Sequence, residues 1–229
     1  MRLWHTRTQQ PVGQGGFHTG RVETTKGGAF HYVYDCGSAN SEPLCEAIGS
    51  HTEFLSGAPI DVLFLSHLDN DHVSGLDVLL ASNKIHTAVL PYLSPTARLI
   101  LVARAAADSA LRSTLLKLWC DPTGWLAARG VQRVIYVTAA EPPDGWGPGD
   151  RQVSPPISGE GSENFDGLTI ELPNSSAKSP ETAPAKRYRG IAHVMPCNQP
   201  LPMSLRGARC LINWQFVTFV HPEGEREAA

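Results

Sequence analysis

The chain has 229 residues, of which 41% are hydrophobic and 18% are charged, and its formal net charge is −3. This composition excludes a disordered protein, and the length favours a single domain over residues 1–229. The slightly acidic balance gives no overall attraction to nucleic acid, although a local site can still act on a phosphodiester.

The first part of the chain predicts a β meander that leads into a helix. Residues 2–8 and 17–24 are typical of strands, joined by the glycine-rich turn Gly13–Gly16, and a third strand follows at 30–35. The turn is interpreted as a hairpin, because neither Lys-Ser nor Lys-Thr follows it as in a phosphate-binding loop. Residues 41–56 are predicted to be helical.

The middle of the chain alternates between strands and helices. The predicted order is a strand at 60–66, a helix to about Ser82, a strand at 86–91, helix over 95–129 with a break near 121–124, and a strand at 131–137. Buried strands that alternate with helices are expected to be parallel neighbours. The fold class is therefore α/β, with a layered core.

The composition changes after residue 138. Residues 139–189 are rich in Pro, Gly and Ser, which predicts an insertion or a mobile loop, with one short strand candidate at 168–172. A last strand is predicted within 208–220.

Four side chains that can bind metal follow the apolar run at 60–65 directly. They are His67, Asp69, Asp71 and His72. On a loop between a strand and a helix, side chains from such a short stretch can converge on one point. Two imidazoles and two carboxylates suit a divalent ion that activates water for hydrolysis.

Two simpler explanations compete with a hydrolytic metal site. Asp69 or Asp71 could only cap the following helix, but capping accounts for one carboxylate and neither histidine. The run Asp69-Asn70-Asp71 also resembles the start of a calcium loop. That loop requires an oxygen ligand at Val73 and a glutamate at Leu80, so the calcium interpretation is rejected.

These residues resemble the metallo-β-lactamase-fold hydrolases, whose motif is H-x-H-x-D-H after a buried strand. The sequence here is H-x-D-x-D-H, which is similar to the lactamase-like domains of the ComEC/Rec2 DNA-uptake proteins. The earlier strand that ends in Asp35-Cys36-Gly37 resembles the D-x-G segment of the same family. The resemblance implies a layered αββα sandwich in which Asp35 supports the metal loop through hydrogen bonds.

The resemblance also implies roles for the loop residues. His67 and Asp69 would hold one divalent ion, while Asp71 and His72 would hold a second ion or orient the attacking water, which makes Asp71 the candidate catalytic residue. One or two ions of zinc or manganese are expected, and the carboxylate of Asp69 shifts the preference from zinc towards manganese or magnesium without excluding zinc. The implied reaction is hydrolysis of a phosphodiester, in a small molecule or in a nucleic acid.

Later parts of the family pattern find no good match in this chain. The pair Gly149-Asp150 lies in a turn-rich segment and does not end a strand, so the domain is expected to be incomplete at its C-terminus. His193 and His221 are the late histidines left as replacement ligands. The alternative function is therefore a non-catalytic structural or interaction module, or a domain that an oligomer or a partner chain completes.

The cysteines and the hydropathy pattern predict where the protein acts. The five cysteines are odd in number, scattered and without a C-x-x-C pair, which favours reduced thiols. The N-terminus lacks the apolar core of a signal peptide, and no stretch is long enough to span a membrane. We therefore expect a cytoplasmic protein with no membrane association.

Overall fold

The computed structural model describes residues 2–25, 27–107, 113–138, 168–170, 188–197, 199–205 and 211–218. The strands are β1 (Leu3–Gln9), β2 (Gly15–Thr24), β3 (Ala29–Ser38), β4 (Ile60–Phe64), β5 (Ile85–Pro91), β6 (Arg133–Thr138), β7 (Leu168–Ile170), β8 (Ala192–Pro196), β9 (Pro200–Leu205) and β10 (Leu211–Val217). The helices are α1 (Ser41–Leu55), α2 (Asn70–Val73), α3 (Leu76–Ser82), α4 (Pro95–Ala107), α5 (Ser113–Cys120) and α6 (Pro122–Ala127).

The larger sheet has seven strands in the order β1-β2-β3-β4-β5-β6-β8. Strands β1, β2 and β3 pair antiparallel, which confirms the predicted meander. From β3 to β8 every neighbouring pair is parallel, as the alternation of strands and helices predicts. The smaller sheet has the order β10-β9-β7 and is antiparallel.

Two apolar clusters hold the layers together. All six described helices pack side chains against one face of the larger sheet, around residues such as Leu63 and Val134. The opposite face, which includes Phe64 and Ile135, packs against the smaller sheet. The order helix, sheet, sheet confirms the predicted layered α/β fold, and no described helix covers the outer face of the smaller sheet.

Three details of the fold differ from the sequence-based expectation. The helix predicted up to Ser82 is two helices, because the backbone N–H of Gly75 donates to the carbonyl of Cys36 at 2.9 Å and interrupts the helical ladder. Strand β2 begins at Gly15, inside the predicted turn. Strands β8 and β9 were not predicted, since prolines at positions 196, 200 and 202 punctuate both segments like a loop.

The structure describes only parts of the chain after residue 138, so the predictions made for that region are only partly tested. The predicted insertion at 139–189 lies outside the described residues, except for β7 and residues 188–189. The single-domain prediction for 1–229 therefore stays a prediction. In the described part of the chain, no helix has the length and apolar character needed to cross a membrane.

Gly20 in β2 is a position where the backbone must approach a neighbouring ring. A Cβ atom added there would collide with the ring of Tyr32, which lies across β2 so that its hydroxyl reaches Nε2 of His5 at 2.7 Å. We expect Gly20→Ala to lower the free energy of unfolding by about 1–3 kcal/mol, because Tyr32 must leave its rotamer. Urea unfolding measures this change. The control is Gly49→Ala, which meets open space in α1 and should stabilise by about 0.5–1 kcal/mol.

His51 in α1 makes stability depend on pH. The pKa of His51 is lowered to about 4. The larger cause is burial between Phe17 and Phe54, and the smaller cause is repulsion from His31. The unfolded chain takes up a proton near pH 6.5 while the folded state does not, so stability is lost as pH falls from 6.5 towards 4. His51→Leu should reduce that loss by on the order of 2 kcal/mol.

Denaturant unfolding of wild type and variant at pH 6.5 and pH 4.5 checks this. Leu44→Val is the control: Leu44 lies seven residues before His51 in α1 and packs near Gly75, and its replacement removes no titrating group, so its effect should be equal at both pH values. If the His51→Leu variant loses as much stability as the wild type between the two pH values, the buried imidazole is not responsible.

Candidate metal centre

The centre is built on an irregularity in β3. The pairing of β2 with β3 shifts between Gly16 and His18, so that Asp35 and Cys36 both lie opposite Phe17 in a β-bulge. Asp35 has a φ of 58°, a left-handed conformation that aspartate and asparagine tolerate better than most residues. The carboxylate of Asp35 is only 2% exposed.

Asp35 holds the metal loop, residues 66–72, through hydrogen bonds. Its Oδ1 accepts from the backbone N–H of Ser66 at 2.7 Å, and its Oδ2 accepts from the Ser66 hydroxyl at 2.6 Å. Nδ1 of His72 lies 2.9 Å from the same Oδ2 and donates to it. One buried carboxylate therefore accepts three hydrogen bonds from the two ends of the loop. Ser66 was not recognised from the sequence.

The hydrogen bonds assign the tautomers of both histidines. The Ser66 hydroxyl uses its single proton on Asp35, so Nδ1 of His67, 2.8 Å away, must donate to the Ser66 oxygen. His72 must also carry its proton on Nδ1, because a carboxylate only accepts. In both rings Nε2 is left with a free lone pair, which is the atom a metal ion binds.

Both free nitrogens face carboxylates. Nε2 of His72 lies 3.6 Å from Oδ2 of Asp71, and Nε2 of His67 lies 3.7 Å from Oδ2 of Asp69. The two imidazole rings are 3.8 Å apart between centroids. His67, Asp71 and His72 each offer a ligand atom within 4.8 Å of the other two, which is the only such group among the described residues.

Asp69 lies at the margin of this group. Its side chain is 59% exposed, and among the described residues it forms a close charge pair only with His67. It occupies the N-cap position of α2, yet its side chain makes no capping hydrogen bond. The capping explanation therefore does not account for its presence, and its carboxylate is free to turn towards an ion.

The donor set fits a divalent cation. In a tetrahedral site with metal–ligand distances of ~2.1 Å, neighbouring donor atoms lie ~3.4 Å apart, close to the spacing of both histidine–aspartate pairs. Imidazole nitrogens with their second nitrogen bonded to a carboxylate or a hydroxyl are typical of metal sites. Each of the two pairs, His67 with Asp69 and His72 with Asp71, therefore has the spacing of two ligands on one ion.

Glycines allow the loop to lie directly on the sheet. A Cβ at Gly16 would lie 2.8 Å from Nδ1 of His72, and one at Gly37 would lie 2.5–2.6 Å from backbone atoms of Asp71 and His72. A Cβ at Gly15 would come within 2.6 Å of the Asp71 carbonyl. The sequence interpretation treated Gly15 and Gly16 as a turn only. Two consecutive glycines at the start of a strand were the signal for this close contact.

A residue of α5 fixes the centre of the loop. The indole Nε1 of Trp119 donates to the carbonyl of Leu68 at 2.8 Å, and Leu68 itself is buried between His67 and Asp69. Its apolar side chain and its bonded carbonyl hold the backbone so that the neighbouring polar side chains point outward.

Of the two late histidines, the structure describes only His193, and it does not reach the loop. His193 lies within β8, level with Ile135 of β6, and β8 is three strands away from β4. At ~4.8 Å per strand this is roughly 14 Å, so His193 is not a ligand of the same ion. His221 and the pair Gly149-Asp150 lie outside the described residues.

Cys36 is a structural thiol. It is fully buried in the cluster beneath the helices, and burial raises the pKa of its thiol well above the ordinary value. A thiol that stays protonated is a poor metal ligand. Its side chain packs against Gly75, where a Cβ would lie 2.9 Å from the Cys36 sulfur.

We expect Asp35→Asn to weaken binding of divalent metal by about 10–100-fold, because the amide cannot accept from Ser66 and His72 as a carboxylate does. Asparagine tolerates the left-handed backbone, so the bulge should persist. Calorimetric titration with Mn²⁺ and Zn²⁺ measures the affinities. Asp77→Asn, which removes an exposed ion pair with Arg129, is the matched control and should bind metal like the wild type.

The comparisons with known proteins agree with this geometry. Residues 21–161, more than half of the chain, match the metallo-beta-lactamase superfamily. The matched segment contains Asp35 and the whole loop from His67 to His72. No curated protein matches the chain. By its sequence match, its layered α/β fold and its cluster of histidines and aspartates, the chain belongs to the metallo-beta-lactamase superfamily.

Proposed function

We propose that the protein is a metal-dependent hydrolase that cleaves a phosphodiester. The observation that carries the proposal is the pair of imidazoles whose Nδ1 atoms are both held and whose Nε2 atoms both face a carboxylate. A preformed set of nitrogen and oxygen donors on one loop suits hydrolytic metal chemistry.

Each loop residue has a proposed part in the reaction. Nε2 of His67 and Oδ2 of Asp69 would hold one ion, and Nε2 of His72 would hold the other. Asp71, whose side chain is 36% exposed, would bind that second ion through one oxygen and accept a proton from the attacking water. Asp35 keeps His72 and Ser66 in place without touching the substrate.

A divalent ion bound here would supply a Lewis acid that polarises a phosphoryl oxygen and acidifies water. The donor set favours manganese over zinc, because two of the four groups are carboxylates, which are harder ligands than imidazole. The proposed phosphodiester rests on the H-x-D-x-D-H pattern, which is similar to that of the DNA-uptake domains.

A second candidate function follows from the position of the candidate metal ligands in the chain. In the described part of the chain all of them lie on a single loop, and His193 is three strands away. A second copy or another chain would then supply the missing ligands, or the domain would act as a non-catalytic module. Hydrolysis by the purified monomer separates the two functions.

The decisive variant is the double replacement His67→Ala with Asp71→Ala. Both side chains are partly exposed, so the free energy of unfolding should change by less than about 1 kcal/mol. Metal content should fall to zero, and hydrolysis of bis(p-nitrophenyl) phosphate should fall to background. In reconstitution, Mn²⁺ should restore more wild-type activity than Zn²⁺ does.

Elemental analysis, gel filtration and the activity assay on the same samples provide the readouts, and Asp77→Ala serves as the control. Equal metal content in the wild type and the double variant would exclude this loop as the site. Metal uptake without hydrolysis by the monomer, followed by activity only in an oligomer, would favour the second candidate.

A further inference from the structure

A cavity of about 500 Å³ opens beside the metal loop, between the two sheets. It reaches the loop at Leu65 and Ser66 and extends along β2 and β3 towards β1. Its volume lies within the range of sites that bind small molecules. Of the described residues that line the cavity, only Ser66 also takes part in the metal centre.

The cavity has aromatic sides. Tyr32, Phe64 and Phe216 line it, and their ring centroids lie 5.0–6.3 Å apart in edge and tilted contacts. Tyr34, which is 43% exposed, stands at the opening with its ring edge-on to His18 at 6.0 Å. Tyr32 and Phe64 are only 8% and 7% exposed, so the open ring surface of the cavity is mainly that of Tyr34, and a flat apolar surface of this kind suits an aromatic group of a ligand.

The polar groups of the cavity point to an anion. Among its described lining residues Arg7 is the only lysine or arginine, and none is an aspartate or glutamate. Arg7 forms no ion pair with a described carboxylate, so its guanidinium can bind a charge from solvent. His18 and Thr218 also line the cavity, and Nδ1 of His18 and Oγ1 of Thr218 are buried atoms that make no hydrogen bond with the described residues.

These groups lie in order along the sheet. Gly16 of β2 contacts His72, His18 lies two residues further on the same face, and Arg7 pairs with Gly20 in the neighbouring strand. At ~3.3 Å per residue the backbone of His18 is ~7 Å from that of Gly16, and that of Gly20 is ~13 Å away. A ligand that spans this distance can touch the metal centre at one end and Arg7 at the other.

We propose that this cavity binds a nucleotide unit of the substrate, with the base against the aromatic side chains and an anionic phosphate against Arg7. The proposal rests on the proposed function, and it narrows the substrate to a small, nucleotide-containing phosphodiester. His18 and Thr218 would supply hydrogen bonds to the base or the sugar. A long nucleic acid would instead need a track of several lysines or arginines, and the described lining of the cavity offers a single one.

The test is direct binding in the presence of EDTA, so that metal coordination of phosphate makes no contribution. The probes for calorimetry are adenosine 5′-monophosphate, adenosine and ribose 5-phosphate. The wild type should bind the monophosphate at least about 10-fold more tightly than either fragment. Arg7→Met should weaken the monophosphate about 10–100-fold and leave adenosine unchanged, because only the charged hydrogen bond is lost.

Two further variants control the interpretation. Arg2 directly precedes the first residue of β1 and is not among the described residues that line the cavity. Arg2→Met should therefore leave all three affinities unchanged. Tyr34→Ala should weaken the monophosphate and adenosine alike, because it removes an aromatic side of the opening without uncovering the core.

Several results would overturn the inference. They are absence of binding by the wild type, equal monophosphate affinity in the wild type and Arg7→Met, and ribose 5-phosphate binding as tightly as the monophosphate. A single-stranded oligonucleotide that binds far more tightly than the monophosphate would point to a polymer instead. The double variant of the metal loop should bind the monophosphate like the wild type. Binding can therefore fail while hydrolysis stands, and hydrolysis can fail while binding stands.

Discussion

The buried carboxylate of Asp35 is the interaction on which the centre depends. An ionised carboxylate that is almost inaccessible to water is unfavourable unless hydrogen bonds replace its hydration. Three donors do so here, two from Ser66 and one from His72, and they join the start of the metal loop to its end. The same bonds determine which nitrogen of each imidazole is free. One charged group in the sheet thus sets both the shape of the loop and the chemistry it presents.

A β-bulge in the pairing of β2 with β3 places the carboxylate of Asp35. A regular antiparallel pairing of β2 and β3 would direct Asp35 and its neighbours alternately to the two faces. The bulge opposite Phe17 breaks the alternation, and it puts Asp35 next to the metal loop while Cys36 remains in the core. The glycines at 15, 16 and 37 then let the loop backbone lie against the strands at distances that no side chain would permit.

The metal centre and the cavity beside it differ in the charge of their side chains. The loop gathers carboxylates and imidazoles, which attract a cation, whereas the described lining of the cavity holds an arginine and no carboxylate. In the proposed function, an anionic substrate would meet the bound ion at one end of this surface and Arg7 at the other. Aromatic contacts between the sheets keep the cavity apolar along its sides, so orientation comes from the few polar groups at its margin.

The sequence by itself determined the order of strands and helices up to β6, the parallel core, and the loop whose histidines and aspartates form the centre. Those features are local, since hydrophobic periodicity and a six-residue motif need no distant partner to be recognised. Only the tertiary structure decided that Ser66 joins Asp35 to His67, that Gly15 and Gly16 lie beneath the loop, and that His193 stays three strands away. Each of these depends on contacts between segments far apart in the chain. Such contacts follow from strand register and a bulge, and neither leaves a periodic signal in the residues themselves.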